Sequence, residues 1–223
     1  MLRITSLFFF FVILTTSACK NEPALQDSKN NLPKEESIPY EPVGKEGAVT
    51  YVVTSGTVLW SGKKTIGGSH EGTITVASGE LLVNKGNLVG GKIVLDMQSL
   101  TVTSIKDGGE KRDLESHLKD VDFFEVNQFP KAEFKFDEVL PSNTPDFNQV
   151  VLGELTMKGK TNGVNIPVAL KISGDEMTAR SPSFSINRTK WGVAFRSGTL
   201  GTAKDKLIED TVLLSIRLTA KRQ

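Results

Sequence analysis

Cysteine is nearly absent from this sequence, with Cys19 standing alone among 223 residues. No disulfide can form within the chain, and beyond Cys19 there is no thiolate to act as nucleophile or zinc ligand. Histidine is almost as scarce: only His70 and His117 occur. Zinc centres draw three or four ligands from Cys, His and carboxylate, so no metal is expected. His117 reads as a helix-surface residue and His70, in "GGSHEG", as a loop residue. No G-x-S-x-G turn is present, which removes the usual signature of a Ser/His/Asp hydrolase. An excess of one charge is missing too. The 27 basic and 26 acidic side chains nearly cancel, leaving no field to gather nucleic acid.

Several partial signals fail on inspection. "GNLVGGKI" at 86–93 approaches a phosphate-binding loop, but Ile93 replaces the hydroxyl that would hold magnesium. The strand-like "KIVLDM" then follows where a helix is required. Acids gather at Asp120, Asp122 and Glu125 and again at Asp205, Glu209 and Asp210. Solvated acidic loops far outnumber carboxylate pairs built for acid–base chemistry, and these clusters are read that way. Arg188, Lys190 and Lys206 read as surface charges balancing the acids, with contact to an anionic head group as the alternative.

The one long apolar run lies at the front. "MLRITSLFFFFVILTTSAC" has Arg3, an apolar stretch from Leu7 to Leu14 and small residues before Cys19, the pattern of an export signal rather than a membrane span. "TSAC" resembles the lipobox of bacterial lipoproteins, with Thr16 where Leu is usual. That resemblance implies a lipoprotein signal peptide over 1–18 and acylation of Cys19. Each buried CH₂ contributes about 0.8 kcal/mol, so two or more acyl chains hold a protein stably on a membrane. Residues 19–46, rich in Asn, Pro, Lys, Glu and Ser, form a flexible tether. The expected location is the cell envelope, as a membrane-anchored lipoprotein of the periplasm or outer membrane.

Helical periodicity is lacking through most of residues 47–223. Val164, Ile166, Val168, Leu170 and Ile172 alternate with Asn165, Pro167, Ala169 and Lys171, and Val212, Leu214, Ile216 and Leu218 do the same near the C-terminus. Period two is the mark of half-buried strands. Turn signals are read at "ASGE" 77–80, "NKGN" 84–87, "SNTPD" 142–146, "KTNG" 160–163 and "SGDE" 173–176. The fold class is all-β: an extended antiparallel β-barrel, whose closure leaves no exposed edges. "DGGEKRDLESHLKD", with Leu114 and Leu118 four apart among charges, predicts one short helix between strands. In "HLKDVDFFEVNQFPKAEFKF", Phe134 and Phe136 share the inward parity of Ala132, while Phe123 and Phe124 precede the strand and plug the space under a loop.

Five patches occur in order from about Val49 to Ala220: "LVGGKIVLDMQSL", "HLKDVDFFEVNQFPKAEFKF", "GELTMKGKTNGVNIPV", "FSINRTKWGVAF" and "KLIEDTVLLSIRLTA". Together they resemble the lipid-binding YceI-like family. The resemblance implies a lipocalin-like barrel whose interior holds a long isoprenoid or similar apolar chain and which performs no chemistry and uses no cofactor. Its ligand would be a long-chain isoprenoid, an isoprenoid quinone or a fatty-acid-like lipid; a homodimer is compatible with the sequence. "LWSGKKTIGGSHEGTI" departs from the commoner start of that family.

Strand parity assigns wall positions. These are Leu95 and Met97, Phe134 and Phe136, Leu155 and Met157, Val168 and Leu170, Phe184 and Ile186, and Leu214 and Ile216. Trp191 and Phe195, in "KWGVAF", are candidates for the pocket mouth. Two other readings fit the sequence: an envelope hydrolase or isomerase on a β-barrel, and a structural or interaction barrel with a solid core.

Overall fold

The computed structural model describes residues 43–198 and 207–223. The proposed signal peptide, Cys19 and nearly all of the tether therefore lie outside the described residues, as do Asp205 and Lys206.

Among the described residues nine strands are present: β1 (Val49–Lys64), β2 (Ser69–Asn84), β3 (Asn87–Val102), β4 (Lys131–Thr144), β5 (Phe147–Met157), β6 (Lys160–Ser173), β7 (Glu176–Arg180), β8 (Phe184–Asn187) and β9 (Ile208–Arg222). Each pairs antiparallel with its neighbour in the order β1-β2-β3-β4-β5-β6-β7-β9-β8, and β9 returns to β1. β7 and β8 lie end to end along β9, facing its residues 217–221 and 211–214. They act as two halves of one interrupted strand, so the barrel closes with eight staves. Closure leaves β1 paired on both sides, to β2 and to β9.

The alternation in β6 holds where it matters. Val164, Ile166 and Val168 are buried, while Ile172 near the end is exposed. Three of the expected turns are turns: Lys85 and Gly86 both take positive φ, Gly174 takes φ 59°, and Pro145 and Asp146 separate β4 from β5. Two are not. "ASGE" lies inside β2, where the β2–β3 register shifts between Val76 and Ser78, so its turn-forming residues make a bulge instead. "KTNG" begins β6, and the reversal falls just before it at Lys158 and Gly159, with φ of 48° and 69°. Glycine at the second position supplies the left-handed conformation that a tight hairpin needs.

Large rings fit the interior because glycines face them. Phe134 and Phe136 stack at 5.9 Å. A Cβ added at Gly153 would come within 2.5 Å of the Phe134 ring, and one at Gly91 within 2.7 Å of Phe136. Trp60 lies over Gly72, its cross-strand partner, in the same way. Aromatic rings thus cover bare backbone on adjacent strands, which lets one ring occupy the width of two staves.

The predicted helix, α1, spans Gly108–Lys119. Asp107 caps it, its carboxylate accepting from the backbone N–H of Gly109 and Glu110. α1 stands beside β3, which pairs with β4 only over Gly91–Asp96. Beyond that stretch Glu115 takes over: its Oε1 accepts from Thr101 Oγ1 at 2.5 Å and from Val102 N at 2.8 Å. The carboxylate replaces ladder bonds that β4 does not supply.

Candidate functional site

The barrel interior is not filled. Two chambers share the side chains of Val58, Leu95, Leu155 and Leu214, which form a waist between them. The lower chamber, toward the hairpin turns, has a cavity volume of about 80 Å³, and the upper, beneath α1, about 260 Å³. Below the lower chamber Tyr51, Met177 and Ala220 are buried and pack the end of the barrel.

Most wall positions assigned by parity line these chambers. Phe134, Phe136, Val168, Phe184 and Ile216 face the lower one; Met97, Met157, Ile186 and Phe195 face the upper; Leu95, Leu155 and Leu214 reach both. Leu170 and Trp191 line neither. Leu170, paired with Ala179, is half-buried against the core and borders a surface groove instead. Trp191 is 1% exposed and donates its indole N–H to Leu155 O at 2.8 Å. It fills the gap left where β6 loses its strand partner at the β7–β8 break, and so sits in the wall rather than at a mouth.

The lower chamber is almost wholly hydrocarbon. Of its eighteen lining residues all but Arg180 are apolar. The Arg180 guanidinium lies 4.8 Å from the Phe147 ring centroid, at the strand break.

The upper chamber is built differently. The loop after α1 carries Phe123 and Phe124 over it, and Lys158 holds that loop by donating to Val121 O and Phe123 O, each at 2.8 Å. The plug expected from the sequence is thus present, and its rings form part of the chamber lining. His117 reaches in from α1, edge-on to Phe123 at 5.1 Å and to Phe195 at 4.8 Å, with Nε2 3.2 Å from Asp122 Oδ2. His70 also lines the chamber, its Nδ1 3.4 Å from Ser104 Oγ. Burial, helped by the charge of Lys64, holds His70 below its ordinary pKa. Neither histidine is the plain surface residue that local sequence suggests. Helix docking and β1–β2 register bring both to one mouth.

Arg188 departs most from expectation. It is 3% exposed, not a surface charge. Its guanidinium donates to Val193 O at 2.7 Å, Ile208 O at 3.0 Å and Glu209 O at 3.1 Å, and pairs with Asp210 Oδ1 at 3.2 Å. Desolvation lowers its pKa and Asp210 opposes the shift; arginine stays charged regardless. Asp210 also accepts from Ser197 Oγ at 2.9 Å. This acid therefore ties the 3-10 turn Arg188–Trp191 and the chain after it to β9. Lys190 is exposed. Of the other acidic residues, Asp122 meets His117 and Glu125 lies 3.9 Å from Lys158.

These features define the class: an extended antiparallel barrel, closed at the hairpin end, with an apolar interior that opens beneath a helix and an aromatic loop. Comparison with known families agrees. The model of the YceI-like domain matches residues 51–220, and the chain belongs to that family. A UPF0312 protein of Staphylococcus aureus strain USA300 is 32% identical over 124 residues, covering 51% of this chain and 67% of the relative. Among solved structures, BcnA of Burkholderia cenocepacia aligns with a TM-score of 0.58 at 19% identity, over 74% of this chain and 96% of BcnA. A polyisoprenoid binding domain from Saccharophagus degradans, implicated in plant cell wall breakdown, aligns with a TM-score of 0.55 at 12% identity, over 78% and 99%. Both structures share the fold.

Proposed function

We propose that this barrel binds one long apolar lipid, an isoprenoid, an isoprenoid quinone or a fatty-acid-like chain, and shields or carries it without chemical change. The observation that carries the reading is the lower chamber, a buried space walled by hydrocarbon with a single arginine at its edge. A reacting centre needs convergent polar groups, whereas a hydrocarbon wall offers only burial, at about 0.8 kcal/mol per CH₂. A ligand chain of a dozen carbons gains enough from that to bind tightly after ordering losses. The name of the Saccharophagus degradans domain, of like fold, supports an isoprenoid as the chain. The front of the sequence supports the setting: a lipoprotein signal and an acylated Cys19 would hold the barrel on a tether in the cell envelope, beside the membrane that supplies such lipids.

The reading is tested by extracting the full-length protein, purified without detergent exchange or denaturation, and weighing what it carries. Mass spectrometry should find about one long-chain apolar lipid per barrel. A barrel recovered empty that takes up no prenyl lipid afterwards would count for the solid-core alternative.

A further inference from the structure

The near-balance of charge over the whole chain conceals a division around the barrel. β6, β7, β8, β9 and β1 lie side by side, because β9 returns to β1. Together these strands hold eight basic residues and three acidic ones. Two of the three acids are engaged: Glu176 lies 3.7 Å from Lys221, and Asp210 pairs with the buried Arg188. β2 to β5 hold three basic residues and seven acidic ones. One side of the barrel is therefore positive and the other negative. Residues 199–206 lie outside the described residues; their sequence has Lys204 and Lys206 against Asp205 and does not offset the basic side.

Apolar exposure follows the same division. Among the large hydrophobic side chains exposed on the described strands, Val52, Leu59, Ile172 and Leu213 belong to the basic side and Leu140 to the acidic side. Lys171, Arg180 and Arg217 line a groove on the outer wall of the basic side, and among the described residues no acid lines it. Arg180 stands directly opposite Arg217 across the β7–β9 pair, and among the described residues neither forms an ion pair. Like charges placed so destabilise a sheet, and an anion from outside the fold relieves them.

The basic side also carries an interval of wall that ladder bonds do not close. β6 meets β7 only from Ala169 onward, and β8 pairs with β9 alone. Over residues 160–168 no strand pairs with the edge of β6 that faces β8. There Asn162 Nδ2 donates to Lys190 O at 3.2 Å, and Trp191 fills the upper part. Pro167, which has no N–H to donate, sits in this open edge, where a strand tolerates proline. Below Trp191, Val164, Ile166 and Val168 line the lower chamber from one flank of the interval and Phe184 from the other. The exposed Arg180 lines both that chamber and the outer groove.

Building on the lipid-binding reading, we infer that this basic side, from β6 through β9 to β1, is a docking surface for an anionic bilayer. The charge selects an anionic partner, the exposed hydrophobic side chains favour one with an apolar layer beneath its charge, and an apolar ligand has a bilayer as its source. Each lysine or arginine close to an anionic membrane adds attraction, which falls off within a Debye length. Docking on this side sets the unpaired interval, and with it the lower chamber, against the lipid.

The test uses the full chain with Cys19→Ser, so that no acyl chain anchors it. Single cysteines are introduced by Leu213→Cys and Ser185→Cys on the basic side and by Leu140→Cys on the acidic side, each labelled with a polarity-sensitive nitrobenzoxadiazole dye. The vesicles are phosphatidylcholine with or without phosphatidylglycerol. Labels at the Leu213 and Ser185 positions should brighten and shift to the blue with phosphatidylglycerol vesicles and lose that response in high salt; the label at the Leu140 position should not respond. All three labels share one background, so the apolar N-terminal run cannot create a difference between sides. Lys171→Gln/Arg217→Gln, at exposed positions outside both chambers, should weaken vesicle binding about tenfold or more. The same variant should leave displacement of a fluorescent hydrocarbon by geranylgeraniol unchanged. Equal responses at all three positions, silence at Leu213 and Ser185, or an equal response without phosphatidylglycerol would overturn the inference. So would a response to polyglutamate in place of vesicles, which would assign the surface to an acidic protein. Geranylgeraniol binding with silent labels removes the docking surface alone. Labels that respond on a barrel that binds no prenyl lipid keep the surface and remove the lipid-binding reading.

Discussion

The lower and upper chambers are made by the same staves but closed by different means. Around the lower one, hairpins close the end and parity sets the inward side chains, and the result is a hydrocarbon tube even though β6 pairs with β7 only from Ala169 onward and the Leu88 N–H is taken by Gln149 Oε1. Around the upper one the ladder is incomplete. β3 has lost β4, and there Glu115 accepts from Val102 N, while Trp191 donates to Leu155 O and Arg188 to the carbonyls of Val193, Ile208 and Glu209. Polar groups in the barrel wall are therefore concentrated where strand pairing stops, because there the backbone must be satisfied by side chains.

That contrast breaks most visibly at Arg188. Replacing it with Met keeps the stem but strands three carbonyls and the Asp210 carboxylate, and should cost about 3–5 kcal/mol of stability in urea denaturation. A midpoint close to wild type would mean that Arg188 does not tie the turn to β9. The next effect belongs to the lower chamber. Gly153→Ala places a methyl within 2.5 Å of Lys135 O and of the Phe134 ring, and overpacking of this kind should destabilise by about 1–3 kcal/mol. An unchanged denaturation midpoint would show that the ring over Gly153 has room to move.

The smallest effect is a pH dependence at α1. Burial works to raise the Glu115 pKa, but the hydrogen bonds from Thr101 and Val102, with Lys111 and Lys119 nearby, outweigh it and hold the group below its ordinary value. A lowered folded pKa means that the stabilisation is present above the ordinary carboxylate range and is lost as pH falls through the lowered value. Glu115→Gln should therefore lose about 1 kcal/mol at neutral pH and show less of a decline than wild type on acidification. Parallel acid curves for the two proteins would remove Glu115 as the latch.

The same division governs what could be read from sequence. The barrel class, α1 and the inward parity of Phe134, Phe136 and Val168 are legible because period-two alternation and helix spacing are local. Turn chemistry was less reliable: "ASGE" and "KTNG" have turn residues, but bulges and strand starts use the same residues. The upper chamber was mostly hidden. Nothing adjacent to Arg188 in the chain announces that Asp210 and three carbonyls will enclose it, nor that His70 and His117 meet one cavity. Trp60 had a readable clue in Gly72, an isolated glycine in a strand, which signals close approach of something large. The place of Trp191 in the wall is not legible in "KWGVAF", because its hydrogen bond to Leu155 O joins segments far apart in the chain.

Lipid binding requires a hollow barrel, and Val168, on the cleanest alternating strand and in the lower chamber wall, tests that most directly. Val168→Phe and wild type are compared after delipidation, because a bound ligand would itself stabilise the fold. A hollow barrel accommodates the ring, so denaturation midpoints should nearly coincide. Displacing three or four chain carbons should then weaken prenyl-lipid binding by a factor on the order of one hundred. A delipidated variant that unfolds about 1–3 kcal/mol more easily than delipidated wild type would instead place Val168 in a packed core and contradict the cavity.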